Sequence, residues 1–352
     1  MNEQKNKLMI YGANGYSAQL IIEELIERGV KPVLAGRNAN SISKAADKYS
    51  CEYKIFDLID DAIAKNSLEE IHTVINCAGP FKYTVKDLID YCLTTKTNYV
   101  DITGEIPAFA YAFGCSSTAK ETGIVILPGA GFDVIPTDCL AKRLSELMPD
   151  ANHLQLGFLN RKGGISRGTT LTSLEFINGK GKVRKNGKVI DSPLGEFNVK
   201  IRHENFELYG LSIPWGDVFT SYISTGISNI EVYMGLPKLL YAFRKPLLSL
   251  LKLFSVDIIK KIAASYVKRN FTGPDIETRN STETYIWGKV ENESGDSIEQ
   301  IYKVMEGYNL TARGAAESAI RIMREEVKPG THTPSLAFGS NFLDLFVKER
   351  LL

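Results

Sequence analysis

Through its first third the chain alternates short, continuously apolar runs with stretches of helical spacing. Leu8-Met9-Ile10-Tyr11 predicts a strand, Gly12 to Gly15 a tight turn, and Leu20, Ile21, Leu25 and Ile26 a helix that ends near Gly29. Residues 32–35 predict a second strand, 41–49 a second helix and 53–56 a third strand. Three more strands are predicted over 73–76, 99–101 and 124–127, with a helix over 85–93. These strands are apolar throughout, as in a sheet covered on both faces. Strand and helix in turn, joined by short connections, imply a Rossmann-type, doubly wound parallel sheet.

After about Asp133 the rhythm changes. Residues 136–147 predict a helix with Pro136 in its first turn, and 153–159 alternate like a half-exposed strand. Polar, Gly-containing segments with strand character follow at 188–190 and 284–290, and a helix is predicted over 312–326. The expected architecture is α/β: a nucleotide-binding Rossmann domain over 1–133 and an α+β substrate and dimerisation domain over 134–307. Residues 308–352 are expected to pack back on the first domain.

Gly12-Ala13-Asn14-Gly15-Tyr16-Ser17-Ala18 has the form G-x-x-G-x-x-A and joins the first strand to the first helix. Glycines there permit the turn and let the backbone approach a pyrophosphate, while the helix N-terminus offers free N–H groups. Gly12, Asn14, Gly15 and Tyr16 are therefore candidate cofactor contacts. The second strand ends in Leu34-Ala35-Gly36-Arg37-Asn38. NAD binders tend to carry an acid at that point for the ribose 2′-hydroxyl. A guanidinium instead matches a 2′-phosphate, so Arg37, with Asn38, favours NADP over NAD. Asp57 has two readings, an adenine contact or a helix N-terminal cap. Cys77, Ala78, Gly79 and Pro80 end the fourth strand, where the nicotinamide half should lie.

Charge narrows the partners. Lys and Arg total 42 against 41 Asp and Glu, a net charge of +1, which argues against nucleic acid as the main partner. Met1 to Lys7 is polar and lacks the apolar core of a signal peptide. No run approaches the ~18 apolar residues that span a bilayer. The five cysteines are odd in number, lack a Cys-x-x-Cys pair and lie in apolar surroundings, so reduced thiols and a cytoplasmic location are expected. No His and Cys cluster has metal-ligand spacing, and no metal site is expected.

Several motifs together resemble the saccharopine dehydrogenase-like oxidoreductases, including the trans-acting enoyl reductases. They are the glycine turn, Leu34-Ala35-Gly36-Arg37-Asn38, Gly79-Pro80-Phe81, Tyr99-Val100-Asp101-Ile102-Thr103-Gly104-Glu105 and the run from Gly129 to Asp138. Ser166-Arg167-Gly168-Thr169, Pro214-Trp215-Gly216-Asp217 and the run from Ser224 to Glu231 continue the family's order. The resemblance implies a Rossmann domain, a second α/β domain for substrate and dimer contacts, and a nicotinamide cofactor. It leaves the substrate open, because the family spans amino-acid and lipid chemistry.

Hydride transfer asks the protein for orientation and a proton source. The Tyr-x-x-x-Lys pair of short-chain dehydrogenases is missing after the fifth strand, and Tyr241 to Lys245 matches it only formally. Asp101, Glu105 and Asp133, at strand ends, are the carboxylate candidates, with helix capping or loop fixing as their alternative roles. Asp138 is read as structural. Arg167, in a Gly-rich basic loop, is a candidate for a substrate carboxylate or phosphate, and Tyr222 and Tyr99 are candidate proton donors. Asp133, Arg167 and Tyr222 form the expected catalytic set, facing a small-molecule substrate between the domains.

One segment does not belong to this scheme. Leu240, Phe243, Leu247, Leu251, Phe254, Ile258 and Ile262 recur at helical steps, and Lys238, Arg244, Lys245, Lys252, Lys260 and Lys261 occupy other faces. Pro246 is expected to divide it into two helices or to kink it. Such a pattern over 238–269 suits a membrane surface, a lipid-sized pocket or a helix pair packed on the domain or on a second subunit of a homodimer. The chain is thus read as an NADP-dependent oxidoreductase acting on a C=C, C=O or C=N bond, with lipid-like substrates favoured. The alternative is a catalytically vestigial nucleotide-binding protein that works through lipid or protein contacts.

Overall fold

The computed structural model describes residues 5–161, 163, 170, 180–203, 206–251, 266 and 273–352. The chain forms two compact units, Met1–Ile135 with Gly307–Phe338, and Pro136–Glu306 with Gly339–Leu352.

The first unit runs β1 (Lys7–Tyr11), α1 (Tyr16–Glu27), β2 (Val33–Gly36), α2 (Ala39–Tyr49), β3 (Tyr53–Ile55), α3 (Asp61–Leu68), β4 (Ile71–Asn76), α4 (Val85–Thr95), β5 (Asn98–Asp101), α5 (Ile106–Gly114), α6 (Ser116–Thr122) and β6 (Val125–Leu127). Its strands are parallel, in the order β3-β2-β1-β4-β5-β6, and Gly330–Thr331 adds a short seventh beside β6. The chain reverses its direction of travel across the sheet between β1 and β4, which opens a crevice at their carboxyl ends.

Burial explains the unbroken apolar strands. Met9, Val33, Val74 and Tyr99 meet α4 through Leu88 and Ile89 on one face. Leu8, Ile10, Leu34 and Ile75 meet α1 and the helix Gly307–Met323 on the other. Ala18 is fully buried, and its small side chain suits the close approach of α1 to the sheet. α1 ends at Glu27 with Arg28 as its C-cap, and Gly29 beyond it has φ +78°. The helix expected over 312–326 begins earlier, at Gly307, and ends at Met323; Glu325 takes a left-handed φ of +59° that the helix cannot continue.

The second unit opens with α7 (Ile135–Leu147). Its strands are β7 (His153–Arg161), β8 (Lys180–Lys185), β9 (Lys188–Pro193), β10 (Asn198–His203), β11 (Phe206–Ser212), β12 (Asn229–Leu236), β13 (Glu283–Glu291) and β14 (Ser297–Val304). The sheet order is β10-β11-β12-β7-β13-β14, with Val347–Arg350 beside β14 and the β8–β9 hairpin on β12. Among these only β7 and β12 pair in parallel. The fold is therefore α/β with a second, mixed-sheet α+β domain.

Two expectations need correction. Residues 308–352 do not return as a whole to the nucleotide unit, because Val347–Arg350 are taken up by the second sheet through Tyr302↔Arg350 and Val304↔Val347. The basic amphipathic segment breaks at Phe243, between the helices Lys238–Ala242 and Arg244–Leu251, and not at Pro246. Pro246 sits in the first turn of the second helix, where its missing N–H costs no intrahelical bond. Residues 252–265 and 267–269 of that segment lie outside the described residues. Among the described residues no helix is long and apolar enough to cross a membrane.

Candidate active site

The glycine turn is held by the neighbouring strand. The amides of Gly12 and Ala13 donate to the Ala35 carbonyl at 2.8 and 3.1 Å, which ties the turn to the end of β2. Gly12 has φ +82°, and a Cβ on it would stand 2.8 Å from the Ala78 amide nitrogen. Only glycine fits there, on conformation and on space. Gly15 caps α1 without a side-chain hydrogen bond. The N-terminus of α1 is the positive end of the helix dipole, which suits an anion. Asn14 is exposed, and the Tyr16 ring meets Tyr308 edge-on, centroids 5.1 Å apart.

At the ends of β2 and β3, Arg37 is exposed and makes no hydrogen bond or ion pair with the described residues. Asn38 is the N-cap of α2; its Oδ1 accepts from the Ser41 amide at 3.0 Å. Asp57 is not the cap of α3. Asp60 is, accepting from the Ile63 amide at 3.1 Å, because the helix starts only at Asp61. Asp57 closes a local turn on the Ile59 amide instead. Burial, then the Asp57 carboxylate, push the phenol of Tyr11 up to about 12, and Arg37 opposes them. Arg37 and Asp57 therefore both act on the end of β1.

Across the switch point, a hydrogen-bond network fixes the loops after β4, β5 and β6. The Cys77 amide donates to the Tyr11 carbonyl at 2.8 Å. Asn76 accepts from the Ala78 amide through Oδ1, and through Nδ2 donates to Thr84 and to the Tyr99 hydroxyl. Thr84 donates to the Ala78 carbonyl at 2.8 Å, and Tyr99 to Asp101 Oδ2 at 2.8 Å. Asp101 Oδ1 accepts from the amides of Thr103 (2.9 Å) and Gly129 (2.8 Å). Burial pushes Asp101 up to about 6, against the pull of these donors. Tyr99 is fully buried inside this network, and burial and then Asp101 hold its hydroxyl proton tightly. Burial also pushes the Cys77 thiol up.

Glu105 and Asp133 complete this edge. Glu105 is 4% exposed, and its two oxygens accept from the amides of Phe81 (2.8 Å) and Lys82 (2.9 Å). Asp133 stands against Gly104, where a Cβ would lie 2.8 Å from Asp133 Oδ2. Burial, and then the Glu105 charge, push Asp133 up to about 7. Asn76, Thr84 and the clamping role of Glu105 were missed by sequence reasoning. The Asn76–Tyr99 and Glu105–Phe81 pairs span 23 and 24 residues, beyond any local pattern.

Tyr222 belongs to the helix Asp217–Thr225 of the second unit. Its ring lies under the Arg184 guanidinium at 4.2 Å, and Arg184 in turn donates to the carbonyls of Val218 and Gly187. Trp215 packs on Phe158, centroids 5.0 Å apart, and Asp138 accepts from the Ser224 hydroxyl. Arg167 lies outside the described residues. Among the described residues no group of three or more His, Cys, Asp or Glu is placed to hold a metal ion. All five cysteines are free.

Residues 8–125 match the saccharopine dehydrogenase NADP binding domain family. The saccharopine dehydrogenase-like oxidoreductase of Bos taurus is 26% identical over 152 residues, covering 37% of this chain and 35% of that protein. The trans-acting enoyl reductase of Mycobacterium leprae is 29% identical over 139 residues, covering 37% and 33%. These matches thus span about a third of each relative's length. The structure of apo saccharopine dehydrogenase (L-Glu forming) from Saccharomyces cerevisiae shares the fold, with a TM-score of 0.67 and 14% identity over 99% of this chain and 100% of that one.

Proposed function

With residues 8–125 a member of the saccharopine dehydrogenase NADP-binding domain family, we propose that the protein is an oxidoreductase that uses NADP in preference to NAD. When bound, the cofactor supplies hydride chemistry at a C=C, C=O or C=N bond of a small, lipid-like substrate. The turn from Gly12 to Gly15 and the N-terminus of α1 hold the pyrophosphate. Arg37 pairs with the 2′-phosphate, and the Gly79-Pro80 segment borders the nicotinamide half. Asp133 holds a proton near neutral pH and delivers it to the substrate. The observation that carries this reading is the exposed Arg37 at the end of β2, the strand whose Ala35 carbonyl anchors the glycine turn. Five free thiols suit a reducing, cytoplasmic compartment.

The test is NADPH consumption against a panel of enoyl, keto and imine substrates. Turnover with one class supports the reading. Tight NADPH binding with no turnover on any class leaves a nucleotide-binding module, and the oxidoreductase assignment fails.

A second observation favours a lipid contact. Leu239, Leu240 and Phe243 are 69%, 45% and 60% exposed, beside the exposed Lys238 and Lys245. Apolar side chains ringed by cations, with no acid between 232 and 256, complement an anionic membrane surface. Co-sedimentation with phosphatidylserine vesicles but not phosphatidylcholine vesicles supports this contact. A homodimer that forms without lipid and is lost on Phe243→Asp assigns the face to a second copy instead.

A further inference from the structure

The loop after β4 is pinned at four backbone atoms by the side chains of Asn76, Thr84 and Glu105. Asn76 Oδ1 takes the Ala78 amide (3.0 Å), Thr84 Oγ1 donates to the Ala78 carbonyl (2.8 Å), and the Glu105 carboxylate takes the amides of Phe81 and Lys82. Gly12 closes on the same loop, leaving no room for a Cβ beside the Ala78 amide. Gly79, between the pinned points, is exposed.

From this geometry we infer that Glu105 is a positioning residue for the nicotinamide half of the cofactor, setting Gly79 and Pro80 through the amides that follow them. The inference rests on the dinucleotide reading and extends it to a residue that does not itself touch the cofactor. Strand order gives the effect its direction. Arg37 follows β2, on one side of the switch point, and the clamped loop follows β4, on the other. The clamp therefore acts on one half of a dinucleotide and leaves the other half alone. A loop already held in its binding conformation spares the cofactor the entropy of ordering it. Both oxygens are in use, so the side chain acts as a two-point acceptor. Glutamine at 105 keeps one acceptor oxygen and sets an N–H against the other amide; alanine keeps neither.

The experiment compares the affinity of the full-length protein for NADPH with that for 2′,5′-ADP, which carries the adenine half and its 2′-phosphate but no nicotinamide. For Glu105→Gln the expected result is NADPH binding about tenfold weaker, ~1.4 kcal/mol, with 2′,5′-ADP affinity unchanged. Glu105→Ala should show the larger loss of the two. Melting of both variants, followed alongside, reports any general loosening. Parallel loss of NADPH and 2′,5′-ADP affinity overturns the inference, as does undiminished NADPH binding in Glu105→Ala. If the wild-type protein binds neither ligand, the dinucleotide reading fails and this inference falls with it. If wild-type binding is sound and only the split is absent, the inference alone fails.

Discussion

Glu105 and Asp133 lie in the loops that follow the neighbouring strands β5 and β6, and the charge of the first bears on the proton of the second. Glu105 is engaged by two backbone amides, while burial and that Glu105 charge push Asp133 up to about 7. Two acids from adjacent loops therefore carry different tasks, one as an acceptor held by two amides, the other as a group whose proton is retained toward neutrality.

Stability should report these shifts directly. Asp133 and Asp101 are both raised from an ordinary 3.8, to about 7 and about 6. Between the unfolded and folded values the folded chain binds more protons, so stability falls as pH rises from about 4 to about 7 and levels off above. Asp133→Asn removes its share, and the dependence of its melting temperature on pH should flatten most at about pH 5–6, midway between the two values. A pH profile parallel to wild type over this range would contradict the shift.

Asp133→Asn should also lower kcat by roughly 10²–10⁴-fold, the usual contribution of a positioned acid, with NADPH affinity retained. In the wild-type protein the rate should decline above about pH 7, as the carboxyl loses its proton. Steady-state kinetics over pH checks both, and an unchanged kcat in the variant removes Asp133 from the chemistry.

Arg37→Asp should weaken NADPH binding by about 10- to 100-fold, the range for losing hydrogen bonds to a charged group. NADH, with no 2′-phosphate, should lose far less. Fluorescence titration of both cofactors gives the ratio, and equal losses refute the 2′-phosphate assignment.

Gly12→Ala places a Cβ 2.8 Å from the Ala78 amide at φ +82°. The fold should lose on the order of 1–3 kcal/mol from strain and clash, and nucleotide affinity should fall with it. Thermal melting together with NADPH titration tests this; wild-type values in both would show that the turn tolerates a side chain.

Leu239→Asp with Phe243→Asp should abolish sedimentation with anionic vesicles and leave NADPH affinity unchanged, since both side chains are exposed on the second unit. Retained vesicle binding would place the lipid contact elsewhere or dismiss it.

Much of the first unit was legible because its strands are covered on both faces, which forces continuous apolar runs, and because Gly12 and Gly29 mark turns that a side chain would obstruct or strain. Arg37 was legible by its place after β2. What the sequence hid were choices between equivalent neighbours. Asp57 and Asp60 both precede a helix, and only the start of α3 at Asp61 decides which one caps it. Pro246 advertises a break, yet the chain breaks at Phe243, because a proline within a first helical turn leaves the helix intact. Glu105 and the loop it holds are joined across β5 and α4, a pairing that no local period encodes. Val347–Arg350 carries too few residues to announce which sheet will receive it.

Hydride transfer is proposed to occur at the carboxyl edge of the first sheet. Its most direct test uses NADPH deuterated at nicotinamide C4 with each member of the enoyl, keto and imine panel, followed by mass analysis of the products. Deuterium is expected on a single carbon of one substrate class, with transfer sharply reduced in Arg37→Asp at limiting cofactor. Bound, unchanged NADPH and unlabelled substrate across the whole panel would contradict it.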